Sequence, residues 1–159
     1  MIFPNAFKCF SIFALVLTGW GTPSLKVLSL SFREHYDFVR ISEYFSGKEN
    51  TSGQIILRSQ ENQRRGLYFH IAIRDGGTRM PVQNQKLILK ILDSESIDFK
   101  THSFDLSPEI LQSGKILLGL SGEHWTSPQT IPIAWYLELQ SQNGEILAHT
   151  QSYLWSHKR

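Results

Sequence analysis

Cysteine is nearly absent from this chain. Its single thiol, Cys9, sits inside an apolar N-terminal stretch. A domain formed by the rest therefore has no disulfide, no thiolate nucleophile and no thiolate metal ligand, and is held together by its core alone. An excess of one charge is lacking too. Lys and Arg number 16 against 14 Asp and Glu, and the basic clusters Arg64-Arg65 and His157-Lys158-Arg159 are short, which leaves no electrostatic case for nucleic acid or an anionic membrane surface. There is no HExxH, no GxSxG elbow and no Gly-rich phosphate loop, so metal, nucleophilic and nucleotide chemistry have no motif to rest on. Histidines 35, 70, 102, 124, 149 and 157 are scattered singly along the chain. Only a fold that gathers distant ones would make a metal site of them. The expectation is a protein that is not an enzyme, with no catalytic residue, metal ligand or cofactor assigned.

Long hydrophobic runs are also missing, with one exception at the N-terminus. Met1 to Lys8 carries positive charge, CFSIFALVL is apolar but too short to span a bilayer, and Thr18-Gly19-Trp20-Gly21 places small residues where a signal peptidase reads. Residues 1–21 read as a cleavable export signal with cleavage after Gly21, and the competing reading keeps the segment as an anchor. Cleavage removes Lys8 and no acid, so the formal charge falls from +2 to +1. Residues 22–159 are then one domain, periplasmic or extracellular, with no stable membrane span.

What the sequence does have is alternation. Gly66 to Arg74 (GLYFHIAIR) puts Leu67, Phe69, Ile71 and Ile73 on one face and belongs in the middle of a sheet. Lys86 to Leu92 points Leu87, Leu89 and Ile91 inward, and Lys26 to Phe32 alternates Leu28, Leu30 and Phe32 with serines. Phe38 to Phe45, Gln54 to Ser59, His102 to Leu106 and Ile116 to Leu120 complete the predicted strands, with Gln54 to Ser59 returning beside Phe38 to Phe45. His102 to Leu106 is a candidate edge, and Gly119 marks a bulge or a close backbone approach. Ser107-Pro108 opens one helical turn, with Ser107 as N-cap.

The strongest signal is a hairpin between Ile131 and Trp155. Ile133, Trp135, Leu137 and Leu139 face the core, and Asn143-Gly144 supplies a two-residue turn. That turn pairs Leu139 with Ala148, Leu137 with Thr150, Trp135 with Ser152 and Ile133 with Leu154. A three-residue loop with a bulge at Gly144 would turn Leu147, His149, Gln151 and Tyr153 inward, burying polar groups at about 1 to 3 kcal/mol each. On the outer face Glu138 then opposes His149, Tyr136 opposes Gln151, Ala134 opposes Tyr153 and Pro132 opposes Trp155.

Short strands, polar turns and almost no helix predict an all-β fold, a two-sheet antiparallel β-sandwich. In general pattern it resembles immunoglobulin-like and fibronectin-type-III-like sandwiches. The candidate binding residues are the outward aromatics Tyr136, Tyr153 and Trp155, with His149 and Glu138 beside them and Trp125 in the preceding loop. Such rings offer apolar area with hydrogen-bonding edges. The expected role is a non-catalytic interaction or structural module with an unidentified protein or glycan partner. A small carbohydrate-binding module is the alternative.

Overall fold

The computed structural model describes residues 22–39, 41–46, 49, 51, 53–74 and 85–156. Residues 1–21, expected to be an export signal and holding Cys9, and residues 75–84 and 157–159 lie outside them. Among the described residues eight strands form: β1 (Ser24–Arg33), β2 (Ile55–Arg58), β3 (Gly66–Arg74), β4 (Gln85–Asp93), β5 (Lys100–Leu106), β6 (Lys115–Ser121), β7 (Pro132–Gln140) and β8 (Ile146–Gln151). Short helices α1 (Ile41–Ser46), α2 (Pro108–Ser113) and α3 (Tyr153–Ser156) decorate them. Two four-stranded sheets result, ordered β1-β3-β6-β2 and β5-β4-β7-β8.

Period two fills the gap between the sheets. Leu67, Phe69, Ile71 and Ile73 from β3 and Leu118 and Leu120 from β6 form one buried cluster with Leu87, Leu89 and Ile91 from β4 and Leu137 and Leu139 from β7. Each such side chain contributes about 1.5 to 3 kcal/mol on burial. Trp135 reaches this core from β7 and meets Phe69 edge-on, ring centres 5.8 Å apart. It is only half-buried, and the fully enclosed ring at that contact is Phe69. As expected, β3 is interior and β5 is an edge.

Strand β1 departs from simple alternation. Its register with β3 slips between Val27 and Ser29, so the extra residue Leu28 bulges outward and is 54% exposed. The slip keeps Leu25 and Val27 on the same face as Leu30 and Phe32, all of which pack on the core.

The predicted strand from Phe38 to Phe45 does not form. The Glu34 backbone N–H donates to the Asp37 carboxylate at 2.8 Å, closing a 3-10 turn over His35–Asp37, and α1 follows. Phe38 is buried against Tyr68, while Glu43 pairs with Arg64. Local bonds decide here because the apolar residues never alternate cleanly. Strand β2 therefore pairs elsewhere. It lies parallel to β6, Ile55 opposite Ile116 and Arg58 opposite Gly119, which corrects the expectation of antiparallel pairing throughout.

The β7–β8 hairpin takes the longer of the two loops weighed for it but keeps most of the register expected of the shorter. Ser141 accepts from Gly144 N–H at 3.0 Å and donates its own N–H to Glu145 at 2.9 Å, and Gly144 has φ +81°. This is the three-residue loop, not the two-residue turn. Gln140 accordingly faces Ile146, yet Leu139 faces Ala148. The bulge that skips Leu147 restores the register, so Leu137 still opposes Thr150 and Glu138 opposes His149. Without it, imidazole and amide groups would have turned toward the core. Strand β8 then ends at Gln151, and the residues after it turn into α3. The expected pairs of Ile133 with Leu154, Ala134 with Tyr153 and Pro132 with Trp155 are therefore not part of the ladder. Ser152 stays opposite Trp135, accepting its N–H on Oγ at 3.0 Å and donating its own N–H to the Trp135 carbonyl at 2.9 Å.

Candidate functional site

Three features outside the core deserve a chemical reading, the first on the outer face of the β5-β4-β7-β8 sheet. Alternation on β7 sends Tyr136 outward, where it stacks on His149 at 5.8 Å and 26° and on Trp155 at 5.5 Å and 24°. Trp155 comes from α3, which folds back over β7, and its other neighbour is Phe99 at 4.7 Å. Lys90 Nζ lies 5.5 Å from the Tyr136 ring centre. The result is a row of rings, Phe99, Trp155, Tyr136 and His149, held by one another.

Glu138 is next to this row but buried. Its carboxylate accepts from Gln140 Nε2 at 2.7 Å and lies 3.8 Å from Lys90 Nζ. Burial, reinforced by the Glu138 charge, pushes the Tyr136 phenol up. Of the sequence candidates, the fold thus gathers Tyr136, Trp155, His149 and Glu138, and α3 also carries Tyr153, which is 76% exposed. Trp125 does not join them. Its indole is 3% exposed and packs in the core cluster between the sheets, because the loop after β6 turns it inward, so it is withdrawn as a surface aromatic. Phe99 and Lys90 were not foreseen, since they come from elements remote in sequence.

The second feature lies at one end of the sandwich and was missed. The inward face of β4 runs Leu87, Leu89, Ile91 and then Asp93; that of β5 runs, in reverse, Leu106, Phe104, His102 and then Lys100. Both strands change from apolar to polar at the same end. Lys100 Nζ meets the Asp93 carboxylate at 2.6 Å, and the Glu95 backbone N–H donates to the same group at 2.9 Å. Burial opposes ionisation, but these bonds prevail and hold the Asp93 carboxyl below its ordinary value. Thr130 Oγ1 donates to Glu95. Together with Glu123, His124, Trp125 and Thr126 these side chains line a cavity of about 50 Å³.

His102 and His124 meet beside it, ring centres 4.8 Å apart and planes at 54°. His102 Nε2 and His124 Nδ1 are both buried and neither has a hydrogen-bond partner. Burial first, then the charges of His124 and Lys100, lowers the His102 imidazole to about 4. Among the described residues no three His, Cys, Asp or Glu side chains group to hold a metal ion.

Comparison with protein families, curated proteins and solved structures finds no match to this chain. Function has to be read from the sites themselves. Among the described residues no helix is long and apolar enough to cross a membrane.

The third feature is an ion-pair network outside the β1-β3-β6-β2 sheet. Arg58 makes two bonds to Glu49, at 2.5 and 3.0 Å, donates to the Tyr68 hydroxyl at 2.9 Å and lies over the Phe38 ring at 4.9 Å. Burial works against the Glu49 charge, yet Arg58 holds its carboxyl below the usual range. These contacts fasten β2 and the Phe38 segment to β3.

Proposed function

We propose that the chain is an exported, non-catalytic β-sandwich module that makes a protein contact through the outer face of its β5-β4-β7-β8 sheet. The observation that carries this is the row Phe99, Trp155, Tyr136 and His149. Its rings are already fixed by mutual stacking, so a partner would lose little side-chain entropy on ordering them. Trp and Tyr, the two rings at the middle of the row, are among the residues that interface hot spots favour. A sugar, by contrast, needs an open ring face, and Tyr136 is stacked on two neighbours. That favours a protein over the glycan alternative. Export is the role of residues 1–21, and strand β1 opens at Ser24, so cleavage after Gly21 would leave every strand residue in place.

The sandwich is further read as immunoglobulin-like and fibronectin-type-III-like in pattern. Its support is the strand order. With β2 set aside, β1-β3-β6 follows the A-B-E order and β5-β4-β7-β8 the C′-C-F-G order of such domains.

The test is photo-crosslinking from position 153 in the exporting cell, paired with a glycan array on the purified protein. One protein should be captured by the wild type and lost with Trp155→Ala and Tyr136→Ala, each confirmed folded by circular dichroism. Glycan binding abolished by those same substitutions would replace the protein reading with the carbohydrate one. Crosslinking that ignores both substitutions would remove the outer face from consideration.

A further inference from the structure

We propose that His102 and His124 form a two-imidazole site for a divalent first-row transition metal, Cu²⁺ binding most tightly. The elements that bring them together are far apart in sequence. His102 is on the edge strand β5 of one sheet, and His124 is on the 3-10 turn Gly122–His124 that leaves β6 of the other.

The geometry can be checked against what a metal requires. A metal–nitrogen bond is about 2.0 to 2.1 Å, which puts each ring centre about 3.2 Å from the ion. At ligand angles between square and tetrahedral, two imidazoles on one ion then have centres about 4.5 to 5.2 Å apart. The observed separation is 4.8 Å. Each ring also presents a buried nitrogen with no partner, His102 Nε2 and His124 Nδ1, so the two rings are not hydrogen-bonded to each other. With the proton on the other ring nitrogen, each orphan carries a lone pair. Coordination would satisfy both atoms at once.

The adjoining cavity of about 50 Å³ is lined by Asp93, Glu95 and Glu123 against the single ammonium of Lys100. Asp93 is already engaged with Lys100, leaving Glu95 and Glu123 to hold metal-bound waters. Two nitrogens without a third protein ligand favour a borderline ion over the oxygen-seeking Ca²⁺ and Mg²⁺, and the ordinary affinity order places Cu²⁺ ahead of Ni²⁺ and Zn²⁺.

The experiment uses the full chain carrying Cys9→Ser, so that no thiol competes, with Cu²⁺ alone as the probe. Calorimetry should show one ion per chain and an electron paramagnetic resonance signal split by two nitrogens. His102→Gln or His124→Gln should each weaken binding at least about tenfold, while His149→Gln and His35→Gln leave it within twofold. Should the first two substitutions fail to fold, substoichiometric Cu²⁺ added to the unsubstituted protein decides the matter by NMR. Selective broadening of the His102 and His124 imidazole resonances supports the site. Broadening confined to other histidines, or equal binding by all four variants, overturns it.

Discussion

Replacing Gly119 by Ala should destabilise the domain by about 2 to 3 kcal/mol, even though Ala suits a strand better than Gly. A methyl group at Gly119 would lie 2.4 Å from Tyr68 Cε1, 2.8 Å from Cζ and 2.9 Å from Cδ1. The Tyr68 ring would have to retreat by about 1 Å to reach ordinary packing distance, and it is pinned. Its hydroxyl donates to the Arg64 carbonyl at 2.6 Å and accepts from Arg58 at 2.9 Å, while Phe38 closes the other side at 5.0 Å. Overpacking of this kind costs about 1 to 3 kcal/mol, and straining the bond from the Arg58 guanidinium adds about 1 kcal/mol more. The backbone gain of Ala over Gly, about 0.5 to 1 kcal/mol, offsets part of it. Urea denaturation of the wild type, Gly119→Ala, Tyr68→Val and the double variant measures the coupling. Val has no atom where the clash occurs, so in the Tyr68→Val background Gly119→Ala should be neutral or slightly stabilising. A cost below 0.5 kcal/mol in the wild type, or the same cost in both backgrounds, would refute the close-approach reasoning.

Leu28→Ala should change stability by less than about 0.5 kcal/mol and Leu89→Ala by about 2 to 5 kcal/mol in the same melts, because the bulge exposes the first and the core encloses the second. Trp135→Ala should fall between, at about 2 to 3 kcal/mol, since its indole is half-buried; a loss as large as that of a fully enclosed ring, about 3 to 5 kcal/mol, would contradict its placement. The His102 imidazole binds its proton more weakly folded than unfolded, so its contribution is fully present above pH 6.5 and is lost as pH falls toward about 4. Discounted for partial exposure to solvent, the loss is about 1 to 2 kcal/mol. With chelator present, melts at pH 7.5 and 4.5 should differ by that much more for the wild type than for His102→Gln; equal pH dependence would show that His102 does not titrate in this way.

The strands legible in the sequence are those whose neighbours impose a simple constraint. β3 and β4 are covered on their inner face along most of their length, so hydrophobic residues recur there at every second position, and Leu67 to Ile73 or Leu87 to Ile91 could be placed from that alone. Where a segment also answers to local bonds, the pattern fails. Glu34 with Asp37 and Glu43 with Arg64 turn the Phe38 segment into turn and helix, and in β1 a bulge carries Leu28 out of phase. The hairpin shows a subtler case: the turn chemistry suggested one loop, the fold took another, and a compensating bulge returned the polar residues to the outside.

Composition and periodicity thus settled the all-β class, the absence of disulfides from residues 22–159, the inward faces of β3 and β4 and the outward position of Tyr136, whereas Ile133, expected to face the core from β7, is 41% exposed. These are local properties, fixed by side-chain size, polarity and a two-residue repeat. Tertiary structure alone decided that β2 runs parallel to β6, that Trp125 is enclosed, that Phe99 and Lys90 join Trp155 and Tyr136, and that His102 meets His124. Each of those depends on which elements distant in sequence become neighbours. That choice is made by the packing of the whole core, and no stretch of sequence short enough to carry a motif contains it.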